Sequence, residues 1–121
     1  RIMANIANTL KAANEIGGAI GAALVDHENG MCLGSLGNGR IDLELAAAGN
    51  TEVVRAKLRV MDELRIKGGI EDILISLEDQ YHLIRPIPNT SLFMYLALDR
   101  KTGNLAMARH KLRDIESKLE I

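Results

Sequence analysis

Ile41-Asp-Leu-Glu-Leu-Ala-Ala-Ala-Gly-Asn-Thr-Glu-Val-Val-Arg-Ala-Lys-Leu-Arg-Val-Met-Asp-Glu-Leu-Arg-Ile66, then Lys67-Gly-Gly69, then Ile70-Glu-Asp-Ile-Leu-Ile-Ser-Leu-Glu78: this stretch decides the fold. It reads as a long helix, a double-glycine stop and a β-strand. At 100° per residue Glu44, Glu52, Arg55, Arg59, Asp62 and Glu63 fall within an arc of roughly 120°. The apolar residues from Leu43 to Leu64 spread over an opposite arc of roughly 200°, where a one-sided surface helix needs only about 100°. That arc holds two stripes. Ala46, Val53, Val60 and Leu64 form one; Leu43, Ala47, Val54, Leu58 and Met61 form the other, with Asn50 and Lys57 along the seam. A helix with two apolar stripes needs two packing partners. In a chain of 121 residues one is its own sheet and the other is a second copy of the chain.

Working outward, Asp42 suits the N-cap of this helix, with Ile41 and Ala46 placed for a hydrophobic staple. Gly49 costs about 1 kcal/mol against alanine inside a helix, so the helix is kinked or split there, or begins at Thr51; the reading taken is one helix, bent at the glycine. In 70–78 the residues Ile73, Ile75 and Leu77 face one way and Asp72, Leu74, Ser76 and Glu78 the other. Upstream, Ile2, Ile6, Leu10, Ala13 and Ile16 recur at helical spacing and Gly17-Gly18 ends that helix. Ala19–Asp26 is apolar on both faces and reads as a central strand, with small Gly21, Ala22 and Ala23 to admit a close helix. His27-Glu-Asn-Gly30 is a turn, and 31–36 returns as a weak edge strand. Downstream, 81–85 is a strand stopped by Pro86 and Pro88, 91–99 is a second doubly apolar strand, and Asn104 caps a last helix with the stripe Leu105, Ala108, Leu112, Ile115 and Leu119. The order is α-β-β-α-β-β-β-α. The doubly apolar strands 19–26 and 91–99 belong side by side in mid-sheet, leaving 31–36 and 70–78 as edges. One domain spans 1–121.

Composition narrows the function. A formal net charge of −1 and a pI near 6.3 supply no basic surface for nucleic acid or anionic membrane. Tyr81, Phe93 and Tyr95 are the only aromatics outside histidine, too few for a base-stacking platform. Cys32 is the sole cysteine, so neither an intrachain disulfide nor a cysteine zinc site can form, which fits a reducing cytoplasm. The start of the chain lacks a signal-peptide core, and its longest apolar run, Ala19 to Val25, is too short to insert in a bilayer.

Catalytic chemistry is hard to assemble from these residues. His27, His82 and His110 have no ligand spacing to one another or to a carboxylate, so no metal is expected. Cys32 reads as a small buried hydrophobe unless a histidine meets it in space. Ser35, Ser76, Ser91 and Ser117 lack a nucleophile-elbow pattern. Gly17-Gly18-x-x-Gly21 precedes a strand where a phosphate loop should follow one; Gly34-x-x-Gly37-x-Gly39 lacks the fingerprint order and the lysine. No cofactor is expected. The charged helix face is a solvated one, in which neighbouring Arg55 and Arg59 slightly favour an acidic partner.

Gly18-Ala-Ile-Gly-Ala-Ala-Leu-Val-Asp26, the hairpin at Gly30, Leu45-Ala-Ala-Ala48 within the long helix, the three later strands and Asn104-Leu-Ala106 together resemble the Roadblock family of dynein light-chain and Mgl-type proteins. The resemblance covers nearly the whole chain. It implies an α/β (α+β sandwich) fold of profilin/longin type: a five-stranded antiparallel sheet in order 2-1-5-4-3, the long helix on one face and the terminal helices on the other. It implies dimerisation through the long helix and the third strand. It also implies a non-enzymatic role, as a scaffold or as a regulator of Ras-like GTPases, some members being GTPase activators.

The expectation is therefore a cytoplasmic homodimer that regulates or adapts a small Ras-like GTPase, with a structural dimerisation scaffold and a profilin-like small-molecule sensor as alternatives. Val53, Val60 and Leu64 are expected on the chain's own sheet. The dimer interface is expected at Val54, Leu58 and Met61, flanked by Asn50 and Lys57, with Ile73 and Ile75 on the adjoining edge strand.

Overall fold

A computed structural model describes residues 2–119, with side chains from Asn5 onward. The elements are α1 (Ile2–Asn14), β1 (Ala19–Asp26), β2 (Met31–Gly37), α2 (Leu43–Glu63), β3 (Ile73–Ser76), β4 (Gln80–Pro86), β5 (Leu92–Asp99) and α3 (Leu105–Ser117). The strands form one antiparallel sheet in the order β2-β1-β5-β4-β3. The doubly apolar strands β1 and β5 are neighbours near its middle, and every residue from Leu92 to Leu98 is buried.

Each face of the sheet carries its own core. Ala22, Leu24, Leu83, Met94, Leu96 and Leu98 meet Leu10, Ala13 and Ile16 of the α1 segment and Ala108 and Leu112 of α3. On the other face Ile20, Ala23, Val25, Ile84, Phe93, Tyr95 and Ala97 meet Ala47 and Val54 of α2. Small residues let the helices approach. A Cβ on Gly34 would stand 2.8 Å from Leu10 Cδ1, and one on Gly21 would stand 3.0 Å from Leu43 Cδ2. α2 lies mainly over β1 and β2, while Ile84 of β4 shares its core with Val54 and the β3 isoleucines Ile73 and Ile75 are only partly covered.

Local signals decide most element ends. Asp42 Oδ1 accepts Leu45 N–H at 3.1 Å, and Asn104 Oδ1 accepts Met107 N–H at 2.9 Å, so both helices start at side-chain caps. Ile41 and Ala46 pack against the same core, as a staple requires. Gly30, at φ 73, closes the β1–β2 turn with its N–H on Asp26 C=O at 2.7 Å.

Three expectations need correction or completion. α2 is one helix through Gly49, whose Cα faces open space, so the glycine weakens the helix without breaking it. The helix does not run on to Ile66 and the double glycine. Arg65 takes φ 58 and donates to Asp62 C=O at 3.0 Å, while Ile66 N–H reaches Met61 C=O at 2.9 Å. This is a Schellman end with arginine where glycine is usual. β3 is shorter than 70–78: it pairs only from Ile73 to Ser76, against Ile84 to Tyr81 of β4.

Candidate functional site: an apolar groove between α2 and the edge strand

The rotation of α2 about its axis is set at its first turn. Leu43 sits against Gly21 and Gly37, where its methyls fill the space a Cβ would take. With Leu43 fixed inward, Ala47, Asn50, Val54, Leu58 and Met61 follow within roughly 60° of it at 100° per residue. Val54 is 0 % exposed, Met61 8 % and Asn50 8 %; Leu58 packs half-buried against the core. The opposite stripe turns away from the sheet's centre, leaving Val60 39 % and Leu64 62 % exposed and Val53 half-buried at the margin.

The expected division of the stripes holds for Val53, which packs partly buried against the sheet core, and fails for Val60 and Leu64. Val54 and Leu58 pack on the chain's own sheet, and Met61 is buried within the single chain. Val60 and Leu64, expected on the sheet, face outward. Periodicity shows that two stripes exist but not which one the glycines of β1 and β2 accept, and the adaptability of methionine is no guide when Met61 shares Leu43's azimuth. Asn50 is not on the open side either: it is 8 % exposed, close enough to Tyr95 beneath the helix to lower that hydroxyl's pKa. Lys57, Ile73 and Ile75 lie as the sequence places them, Lys57 exposed on the outer flank and the isoleucines on the α2 face of the edge strand.

Between that flank and the edge strand runs a groove of about 640 Å³, lined by Val53, Ala56, Lys57, Val60, Ile70, Asp72 and Ile73. Its walls are almost wholly apolar, with Lys57 and Asp72 the charged lining residues. It opens where β3 ends the sheet with an unpaired edge.

A polar chain lies on the same sheet face. Gln80 Oε1 is 2.8 Å from His82 Nε2, and His82 Nδ1 is 3.2 Å from the Tyr95 hydroxyl, near Asn50. Neutral His82 with its proton on Nε2 satisfies every link: Nε2–H donates to Gln80 and Nδ1 accepts from Tyr95. The rings meet edge to face at 5.4 Å. Burial lowers the His82 pKa and raises that of Tyr95 to about 12, Asn50 partly opposing the second shift. Both shifts favour the neutral forms of His82 and Tyr95.

The other chemical candidates resolve into packing. Burial is the main cause raising the Cys32 thiol pKa, the Gly34 backbone opposes it and Glu44 adds to it; the thiol itself donates to Gly34 C=O at 3.3 Å. That is the reverse of an activated nucleophile. Gly18, at φ 85, backs onto Gly103; Gly34 and Gly37 lie within β2, and Gly39 alone of the second cluster is in the loop before α2. His27 sits in the hairpin turn and His110 is exposed on α3. Among the described residues no three His, Cys, Asp or Glu side chains are grouped to hold a metal, and no helix is long and apolar enough to cross a membrane.

No family model matches the sequence, and no curated protein matches it. Solved structures do. An MglB with a tetrameric arrangement superposes with a TM-score of 0.83 at 14 % identity, covering 98 % of this chain and 87 % of that one. The gliding protein MglB of Thermus thermophilus gives a TM-score of 0.82 at 14 % identity over 98 % of this chain and 87 % of its own. A Roadblock/LC7 domain from Streptomyces avermitilis gives 0.76 at 9 % identity over 95 % and 91 %. The fold of this chain is that of the Roadblock/LC7 and MglB structures.

Proposed function

We propose that this protein is a cytoplasmic homodimeric module of Roadblock type that regulates or adapts a small Ras-like GTPase and has no catalytic chemistry of its own. The observation that carries the reading is the half-covered α2 face of the sheet, where the groove presents Val53, Val60 and Ile73 beside an open strand edge. An apolar flank next to unpaired backbone suits a second copy, which can add a helix to the groove and a strand to the edge. The proposed interface keeps Lys57, Ile73 and Ile75 and replaces Val54, Leu58 and Met61 with Val53, Ala56 and Val60. The likeness to an MglB with a tetrameric arrangement supports self-association. The GTPase as partner rests on the family resemblance. Arg55 and Arg59 stand exposed on the outer face of α2, available to an acidic partner surface.

The test is a pull-down with a Ras-like GTPase encoded beside this gene, loaded with GDP or a GTP analogue, together with its hydrolysis rate. Nucleotide-dependent binding is expected. Equal binding to both forms with an unchanged rate would move the reading to a structural scaffold.

A further inference from the structure

The chain that joins α2 to β3 has no regular structure from Lys67 to Asp72, and no backbone-to-backbone hydrogen bond outside the sheet involves those residues among the described ones. Yet this segment supplies Ile70 and Asp72 to the groove and delivers the edge strand. What holds it comes from the opposite side of the sheet. Arg109 of α3 puts Nε and Nη2 on the two oxygens of Asp72 at 3.0 and 3.2 Å. Arg85 of β4 donates from Nη1 to the Glu71 carbonyl at 3.4 Å, and Arg113 reaches the Glu71 carboxylate at 3.3 Å. Arg85 is itself fixed by Glu116 at 3.1 Å, in a pair whose side chains are 13 % and 12 % exposed.

Three cations thus converge on Glu71 and Asp72. The contacts differ in strength. Arg113–Glu71 is open to solvent, 55 % and 76 % exposed, and contributes little. Arg109–Asp72 is bidentate and partly shielded, the geometry in which an ion pair positions as well as attracts.

We propose that Arg109, backed by Arg85, is a positioning residue for self-association: from the α3 side it holds Glu71–Asp72 so that β3 and the groove wall keep the shape a second copy requires. This rests on the dimer proposed above. It follows that salt, or an acidic partner competing for Arg109, weakens the dimer without touching the groove.

The experiment is sedimentation equilibrium of the full chain at about 50 and 500 mM NaCl, with hydrogen exchange at low salt. The proteins are wild type, Arg109→Gln, Asp72→Asn and the double variant. Arg109→Gln should raise the dimer Kd about tenfold at low salt and flatten its salt dependence. Exchange should quicken at Ile73–Ser76 and stay unchanged in β1 and β5, a pattern that general destabilisation would not give. Asp72→Asn should match it, and the double variant should be no weaker than either single one. A wild-type dimer whose Kd shifts less than about twofold in Arg109→Gln, with exchange unaltered, overturns the positioning role alone. A wild type that stays monomeric overturns the dimer and this inference together.

Discussion

Replacing Val54 and Val60 in turn with aspartate separates the inward stripe of α2 from the outward one. Val54 is 0 % exposed, above the sheet core of Phe93 and Ala97. Its isopropyl group contributes about 1.5–3 kcal/mol by burial. An aspartate there must either stay charged in an apolar site or take a proton and leave a polar group unpaired, which costs about 1–3 kcal/mol more. A loss of roughly 3–6 kcal/mol is comparable to the whole stability of a domain at the low end of the usual 5–15 kcal/mol. Val60 is already 39 % exposed, so an aspartate there costs the isolated chain less than about 1 kcal/mol. In a dimer it sets a carboxylate in the groove of each copy, and a micromolar complex has only about 8 kcal/mol to lose. Val60→Asp should therefore be a folded monomer and Val54→Asp largely unfolded, read by circular dichroism and light scattering over a concentration series. Leu58→Asp, on the inward side, should lose stability before it loses association. A folded, dimeric Val54→Asp beside an unfolded Val60→Asp would refute the assigned rotation of the helix.

Two further predictions concern the protomer. Arg65→Gly relieves a left-handed φ of 58 at the end of α2 and should stabilise the fold by about 1 kcal/mol, raising the calorimetric midpoint by about 4 °C. His82 takes up a proton near its ordinary 6.5 in the unfolded chain, while burial holds its folded pKa lower. Its contribution is thus fully present above 6.5 and declines as pH falls from there through the lower folded value. His82→Asn should flatten the change in urea midpoint between about pH 7 and pH 5; an unchanged slope would place the acid sensitivity elsewhere.

How much of this was legible in the sequence depends on how local each cause is. The caps at Asp42 and Asn104, the turn at Gly30 and the doubly apolar β1 and β5 declare themselves within a few residues, and the structure has them as read. The residues alone gave the sheet's centre and edges; its full strand order came from the family resemblance. What failed depended on distant partners. The rotation of α2 is set by Leu43 meeting Gly21 and Gly37 across the fold, invisible in a helical wheel. Asn50 looked like a seam residue because its neighbour Tyr95 lies on β5. The stretch 70–72 has a strand's alternation but is held by arginines of β4 and α3 in place of a ladder. The end of α2 was misread because arginine seldom supplies a left-handed residue, and Gly68-Gly69 nearby offered an ordinary alternative.

The pairing of β1 with β5 sets Ala19 beside Leu98 and Asp26 beside Leu92, so the heart of the sheet joins an early strand to a late one. On a ribosome, β1 emerges with only its hairpin partner β2, and a lone hairpin is marginal in water. The buried run Ile20–Val25 then has neither its neighbour strand nor a complete face for α1 until β5 has left the tunnel. Closing so long a loop before its contacts are gained slows folding, and a greasy nascent strand waits exposed meanwhile. The chain should therefore acquire protease resistance abruptly, once Asp99 has cleared the tunnel. Nascent chains truncated before Leu92 should stay in the keeping of chaperones.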